Sequence, residues 1–500
     1  LDYGKNRARL AWYTIEPTLI DGVGGIPEYV KNDPDQHYIR LVQQQEVFPT
    51  KTPNTFQNSL TTFDLGFYPR ERGPYNYDAN LNADGTLPNP EARWGGIQRS
   101  IEYSDFEQSN VEFIEFWVMD PFINRPNTQG GSLYINLGNV SEDVMKDSRK
   151  FFENGIPYPK NQAQLGSSVW GFVPNLQTQI VRAFDNDPAA RAVQDVGYDG
   201  MDDEDERAKF SNYIANLGSI APGVLAEIQD DPSNDNYRYF RGSEFDNAKA
   251  GILQRYKKFN NPHGNSPVTS ATQAFSNAAT NIPESEDINR DNTLNESEDY
   301  YQYRIDLHPA NMQVGKNFIV NAITGPARLP NGSTETETWY QYKIPIREFD
   351  QRIGNIADFR SIRFIRLFLN GFQDSTILRF ARFELGRNQW RRYQFSLQSP
   401  GENIPEEDQQ NTSFAVTSVS LEENSERTPV KYVLPPGVDR QQAAVANGQN
   451  VQLNEQAIAL QVCGLKDGDA RAIFKEVGVD MRQFGRLRMF VHAESVVNQA

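Results

Sequence analysis

The pattern of apolar and polar positions changes character several times along the chain. Its clearest strand is VEFIEFWVM, Val111 to Met119, rich in aromatic and β-branched residues and too short for a typical helix. GSLYINLGNV, Gly131 to Val140, follows after a turn-rich connection. Strand patterns return at EDYYQYRIDL, KNFIVNAITG, TWYQYKIPI, RSIRFIRLFL and STILRFARFEL, and again at SFAVTSVSL, VKYVLPP, EQAIALQVCGL and FGRLRMFVHAES. Short strands separated by turn signals predict β-sandwich modules.

Other segments lack that cadence. In residues 1–96, Pro and Gly interrupt every run long enough for a helix, which leaves strand and loop. FDLGFYPRERGPYNYD, Phe63 to Asp78, sets Arg70 and Arg72 around Glu71 just before a Gly73-Pro74 turn. So stiff and aromatic a stretch suits a wall or docking surface, or a packed turn joining two modules. SEDVMKDSRKFFENG reads as a helix, with Ser141 as N-cap, acids in the first turn and Gly155 as the stop. From 185 to 300 Asp, Asn, Glu and Pro dominate and strand signals vanish. Short helices are expected near 204–217 and 243–259, and an exposed loop over 260–281.

DFRSIRFIRLFLN from Asp358 aligns without a gap on DMRQFGRLRMFVH from Asp480, an offset of 122 residues. Asp358/Asp480, Arg360/Arg482, Arg366/Arg488 and Phe368/Phe490 are identical pairs. The match predicts repeated modules, each with a central strand of this kind. The expected fold is therefore mainly β, tandem jelly-roll-like sandwiches with an acidic, partly helical insertion. The divisions are a turn- and aromatic-rich region 1–96, a first sandwich segment 97–184, the acidic insertion 185–300, a second module 301–400 and a third 401–500. The third reads as truncated at Ala500, and the chain, with no initial Met, as an internal piece of something longer.

Charge narrows the function. With 49 Lys and Arg against 66 Asp and Glu, the net charge of −17 repels nucleic acid and disfavours anionic lipid. The single cysteine, Cys463, excludes a disulfide framework and a cysteine zinc site, and reads as a small buried apolar residue. His37, His263, His308 and His492 form no i,i+4 pair, which disfavours a histidine-rich metal site. No run approaches the length of a membrane helix and no apolar leader opens the chain. No nucleophile, zinc-protease or nucleotide signature occurs, so no enzyme is expected. Carboxylates abound, but nothing singles out a glycosidase pair.

Two acidic loops carry the metal chemistry. DINRDNTLNESE places Asp287, Asn289, Asp291, Thr293, Asn295 and Glu298 at positions 1, 3, 5, 7, 9 and 12, the oxygen-ligand spacing of a calcium loop. Asn292 replaces the usual Gly at position 6, and Asn tolerates the positive φ needed there. DVGYDGMDDEDE places Asp195, Gly197, Asp199, Met201, Asp203 and Glu206 at the same positions, with Gly200 at the sharp turn. Gly197 and Met201 would offer only backbone oxygens. One or two calcium ions are the expected cofactor, against the alternative of solvated acidic turns.

FYPRERGPYNYD, RWGGIQR, INLGNVSEDVMKDSRKFFENG, QDVGYDGMDDEDE, DPSNDNYRYFRGSEFD, DINRDNTLNESEDYYQY and RLRMFVHAES together resemble the SprA/Sov family of gliding-motility and type 9 secretion translocon proteins, in order along the whole chain. The resemblance implies a giant outer-membrane β-barrel conducting folded proteins to the cell surface. This segment, without a barrel's repeated strands, would be an insertion capping or surrounding the pore on the extracellular side. Implied partners are the outer-membrane shuttle and plug-type subunits and the secreted cargo, with membrane association through the rest of the protein. The alternative is a carbohydrate-binding cell-surface β-sandwich module.

Overall fold

The computed structural model describes residues 1–21, 24–51, 59–176, 178, 181–269, 276–399, 401–405, 412–427, 430–444, 450–475 and 477–495. Eleven strands build its centre: β1 Ala8–Tyr13, β2 Phe63–Arg72, β3 Trp94–Ser100, β4 Val111–Met119, β5 Gly131–Asn139, β6 Asp299–Leu307, β7 Ile319–Arg328, β8 Thr334–Pro345, β9 Gln351–Ile353, β10 Phe364–Asn370 and β11 Thr376–Arg387. They form two open antiparallel sheets, one in the order β1-β2-β11-β4-β8-β7 and one in the order β9-β6-β5-β10-β3.

Alternation along the strands places the core. Leu10, Phe67, Phe116, Val118 and Tyr342 of the larger sheet share one cluster with Leu133, Ile135, Tyr303, Ile305 and Leu369 of the smaller. The intervening residues of the larger sheet, Ala11, Tyr68, Trp117, Met119 and Trp339, pack on its other face under Leu19, Ile39, Val47, Phe48, Ile252 and Tyr256. A sheet buried on both faces needs a continuous apolar run, and every residue of β4 is buried. The two acids in that run have partners: Glu112 meets Arg392 at 2.6 Å, and Glu115 accepts from Gln341 Nε2 at 2.7 Å.

Strands from 97–184 and 301–400 interleave in the same two sheets, together with β1 and β2 from 1–96. A long-range return brings β10 and β11 beside strands far earlier in sequence, and single-strand periodicity carries no trace of such pairing. Four single helical turns, Pro17–Ile20, Glu28–Lys31, Gln36–Ile39 and Gln44–Val47, occur where only strand and loop were expected. Each fits between Pro and Gly punctuation and is held by the sheet it covers.

The helix expected over 141–155 does not form. Lys146 and Ser148 have φ of +54° and +58°, and only Glu153–Gly155 closes a 3₁₀ turn. Asp143 captures the backbone N–H groups of Asp147 and Ser148 at 3.1 and 2.9 Å, an alternative to helical bonding open to short acids. Over 185–298 the described residues contain helices and no named strand, and β6 opens at Asp299; Asp203–Lys209 and Ser211–Ala215 fall in the first expected helical region, Ser243–Ala248 and Ile252–Tyr256 in the second. The loop 260–281 is not exposed throughout: Asn261, Asn265 and Ser266 are buried, while 270–275 lie outside the described residues.

Part of the expected third module also lies outside them. Within it, Cys463 is exposed rather than buried, on the strand Gln456–Cys463. The repeat Asp358/Asp480 has unlike outcomes. β10 is central in its sheet, whereas the later segment forms no strand and leaves Leu487 and Val491 76% and 80% exposed.

Candidate metal centre

The aromatic stretch after β2 becomes the floor of the acidic insertion. Tyr77 stacks on Phe210 at 4.0 Å between ring centres and meets Tyr213 edge-on at 5.5 Å. These rings close a core with Tyr75, Met145, Trp170 and Met201. Around it the chain ties itself to residues 232–234. Tyr75 N–H donates to Ser233 O at 2.7 Å, Arg72 Nη2 to Pro232 O at 2.6 Å, and Asn234 Nδ2 to Arg72 O at 2.6 Å. The stretch is thus a packed junction between the strand-bearing core and the insert.

Above that floor the second acidic loop converges with distant chain. Asp199, Glu206 and Asp235 present oxygens within 4.8 Å of one another, and all three are buried. Asp203, Glu206 and His263 form a second such group at the more exposed side. Local structure aims these groups. Gly197 and Gly200 take φ of +73° and +66°, and a Cβ on Gly197 would stand 2.6 Å from Asp235 Oδ2. Asp202 caps Asp203–Lys209 by accepting from the N–H groups of Glu204 and Asp205, which fixes where Glu206 points.

Three of the carboxylate oxygens are occupied. Asp199 Oδ1 takes the Met201 N–H at 3.0 Å and Oδ2 the Ser233 hydroxyl at 2.9 Å, while Glu206 Oε2 takes the Ser233 N–H at 3.0 Å. Glu206 Oε1 and both oxygens of Asp235 have no hydrogen-bond partner. His263 Nδ1 stands 3.8 Å from Asp235 and 4.0 Å from Asp203. Burial pushes Glu206 up to about 9, with the charge of Asp235 adding to the effect. Asp199 is raised well above the usual carboxylate range by burial and then by Glu206 and Asp235. Burial lowers the His263 ring, but Asp235, Asp203 and Glu206 outweigh it and bring it up to about 9. The cluster thus requires positive charge, as protons or as a cation.

Of the loop residues expected as ligands, the structure brings Asp199, Asp203 and Glu206 together. Asp195 lies apart, its carboxylate accepting the Ser266 N–H at 3.0 Å; Met201 is in the aromatic core; Gly197 donates its N–H to Glu153 at 2.8 Å. Sequence reasoning missed Asp235 and His263, which join from outside the loop. DPSNDNYRYF, where Asp235 lies, offered an acid-rich turn but no ligand spacing.

The other loop is organised differently. Asn292 has φ of +67°, as its position required. Asp287 accepts the N–H groups of Asp291 and Asn292 at 3.0 and 2.9 Å and pairs with Arg182 at 3.0 Å. Asp291 accepts the Thr293 N–H at 2.8 Å, Asn289 Oδ1 the Asp291 N–H at 2.9 Å, and Asn295 Oδ1 the Ser297 hydroxyl at 2.8 Å. Glu298 forms a two-pronged pair with Arg366 at 3.0 and 2.8 Å. The loop is gathered by the buried Glu142, which accepts from the N–H groups of Ile288, Asn289 and Asn295.

Two facing antiparallel sheets carrying a docked, acid-lined helical insert define a mainly β scaffold, and among the described residues no helix is long and apolar enough to cross a membrane. The chain belongs to the SprA N-terminal family, described as motility related/secretion protein, which matches residues 209–500. That match takes in Asp235, His263, the Asp287 loop and β6 to β11, while the aromatic floor and Asp199 precede it. No curated protein matches the chain.

Proposed function

We propose that this chain is a non-enzymatic part of the protein-conducting outer-membrane translocon of the type 9 secretion system, serving protein secretion and gliding motility. In this reading it caps or surrounds the pore on the extracellular side. Membership of a motility and secretion family carries the proposal. The docking of the insert supports it, because Arg72, Tyr75 and Tyr77 fasten the acidic segment to the strand-bearing core and suit a wall more than a loose tether. The partners are the shuttle and plug-type subunits and the passing cargo, and the rest of the protein supplies membrane attachment.

The exposed Cys463 gives the test of sidedness. A membrane-impermeant maleimide applied to intact cells should label the full protein in a Cys463-dependent way, with Cys463→Ser as control. Labelling that requires a permeabilised outer membrane overturns the extracellular placement. Tyr77→Ala, which loosens the insert, should lower cargo secretion at an unchanged surface level of the protein; unchanged secretion overturns the capping role.

A further inference from the structure

Asp235 is the anomaly of the acidic cluster. It is 0% exposed, yet neither of its carboxylate oxygens has a hydrogen-bond partner. Glu206, equally buried, leaves Oε1 without one. A carboxylate removed from water with nothing in return costs several kcal/mol. Lys258 and Arg9 are committed elsewhere, Lys258 to Asp231 Oδ2 at 2.9 Å and Arg9 to Asn261 Oδ1 at 2.6 Å, while His263 Nδ1 faces Asp235 from 3.8 Å, beyond hydrogen-bond reach. The bonds that do exist hold the other oxygens in place, since Ser233 engages Asp199 through its hydroxyl and Glu206 through its N–H. This is the arrangement of outer partners orienting ligands around an ion.

We propose that Asp199, Glu206 and Asp235 hold one calcium ion, a discontinuous site in place of a contiguous loop. The three residues offer carboxylate oxygens, hard donors that favour calcium over zinc or copper, and the one unpartnered nitrogen beside them, His263 Nδ1, stands at the edge of the group. Asp203 and His263 flank the side open to solvent, with side chains 37% and 14% exposed, and mark the entry. The ion joins the turn at 197–206 to the turn at 231–235, and through the His263 N–H bond to Asp235 O at 3.1 Å it braces the segment after 260. The inference rests on these side chains alone and stands whether or not the translocon reading holds.

The test uses the 500-residue chain stripped with chelator and titrated separately with calcium, magnesium, manganese, zinc and terbium. Calcium should raise the melting temperature, and one terbium ion should bind, sensitised by Tyr75 and Tyr77 and displaced by calcium. Asp235→Asn and Glu206→Gln should each weaken the ion by roughly 10–100-fold or more. Asp287→Asn with Asp291→Asn should leave the calcium response intact. If the cluster variants fail to fold, terbium anomalous density in wild-type crystals decides without them, and it should lie between Asp199, Glu206 and Asp235. Density only at the Asp287 loop, selective zinc binding that needs His263, or no ion at millimolar calcium each overturns the site.

Discussion

Glu142→Ala should unfasten the loop from Asp287 to Glu298. The carboxylate is wholly buried and accepts three backbone N–H groups, those of Ile288 and Asn289 on one oxygen and Asn295 on the other, at 2.8, 3.1 and 3.1 Å. Truncation removes every acceptor at once and leaves the three donors facing a cavity. At about 1–2 kcal/mol for each of the three stranded donors, the loss comes to about 3–6 kcal/mol, with water entering the loop setting the lower end. Glu142→Gln separates acceptor from charge. However its amide is turned, one set of N–H groups faces an NH₂, so about 1–2 kcal/mol should be lost. Urea unfolding followed by tryptophan fluorescence gives the totals, and amide hydrogen exchange at Ile288, Asn289 and Asn295 locates the damage. A Glu142→Ala chain within ~1 kcal/mol of wild type, with unchanged exchange at those amides, would refute this account of the loop.

Two further outcomes test the core and the buried charge. Trp117 is 0% exposed on the face of β4 beneath the amino-terminal turns, so Trp117→Ala should cost about 3–5 kcal/mol in urea unfolding, and a loss below about 1 kcal/mol means the covering layer does not close that face. Burial pushes Glu286 up to about 8 from an ordinary 4.5 although the N–H groups of Phe151 and Met145 oppose the shift. Because the folded state holds the proton more tightly, this group's stabilisation is full below pH 4.5 and is lost as pH rises towards 8. Glu286→Gln should flatten the fall in unfolding free energy between pH 5 and pH 8, and an identical slope in the variant contradicts the assignment.

How much was legible in the sequence follows from the range of the interactions involved. Val111 to Met119 was read to the residue because a strand buried on both faces has no polar alternation to blur its ends. The absence of named strand among the described residues from 185 to 298 was legible because short acids and prolines act through the local backbone. The stretch 141–155 failed because its N-cap, acids and terminal glycine are consistent with a helix, yet Glu142 is drawn away to a loop some 150 residues later. Local preference worth a few tenths of a kcal/mol per residue loses to a buried carboxylate with three backbone donors. The acidic centre shows the same division. Asp199, Asp203 and Glu206 share one loop and could be found by spacing, while Asp235 and His263 are delivered by the tertiary fold. What places Asp235 is the anchoring of Ser233 on Tyr75 and Tyr77, residues quoted for their aromaticity alone. In a discontinuous site the informative signal is therefore an orphaned buried oxygen in space, and no spacing of ligands along the chain contains it.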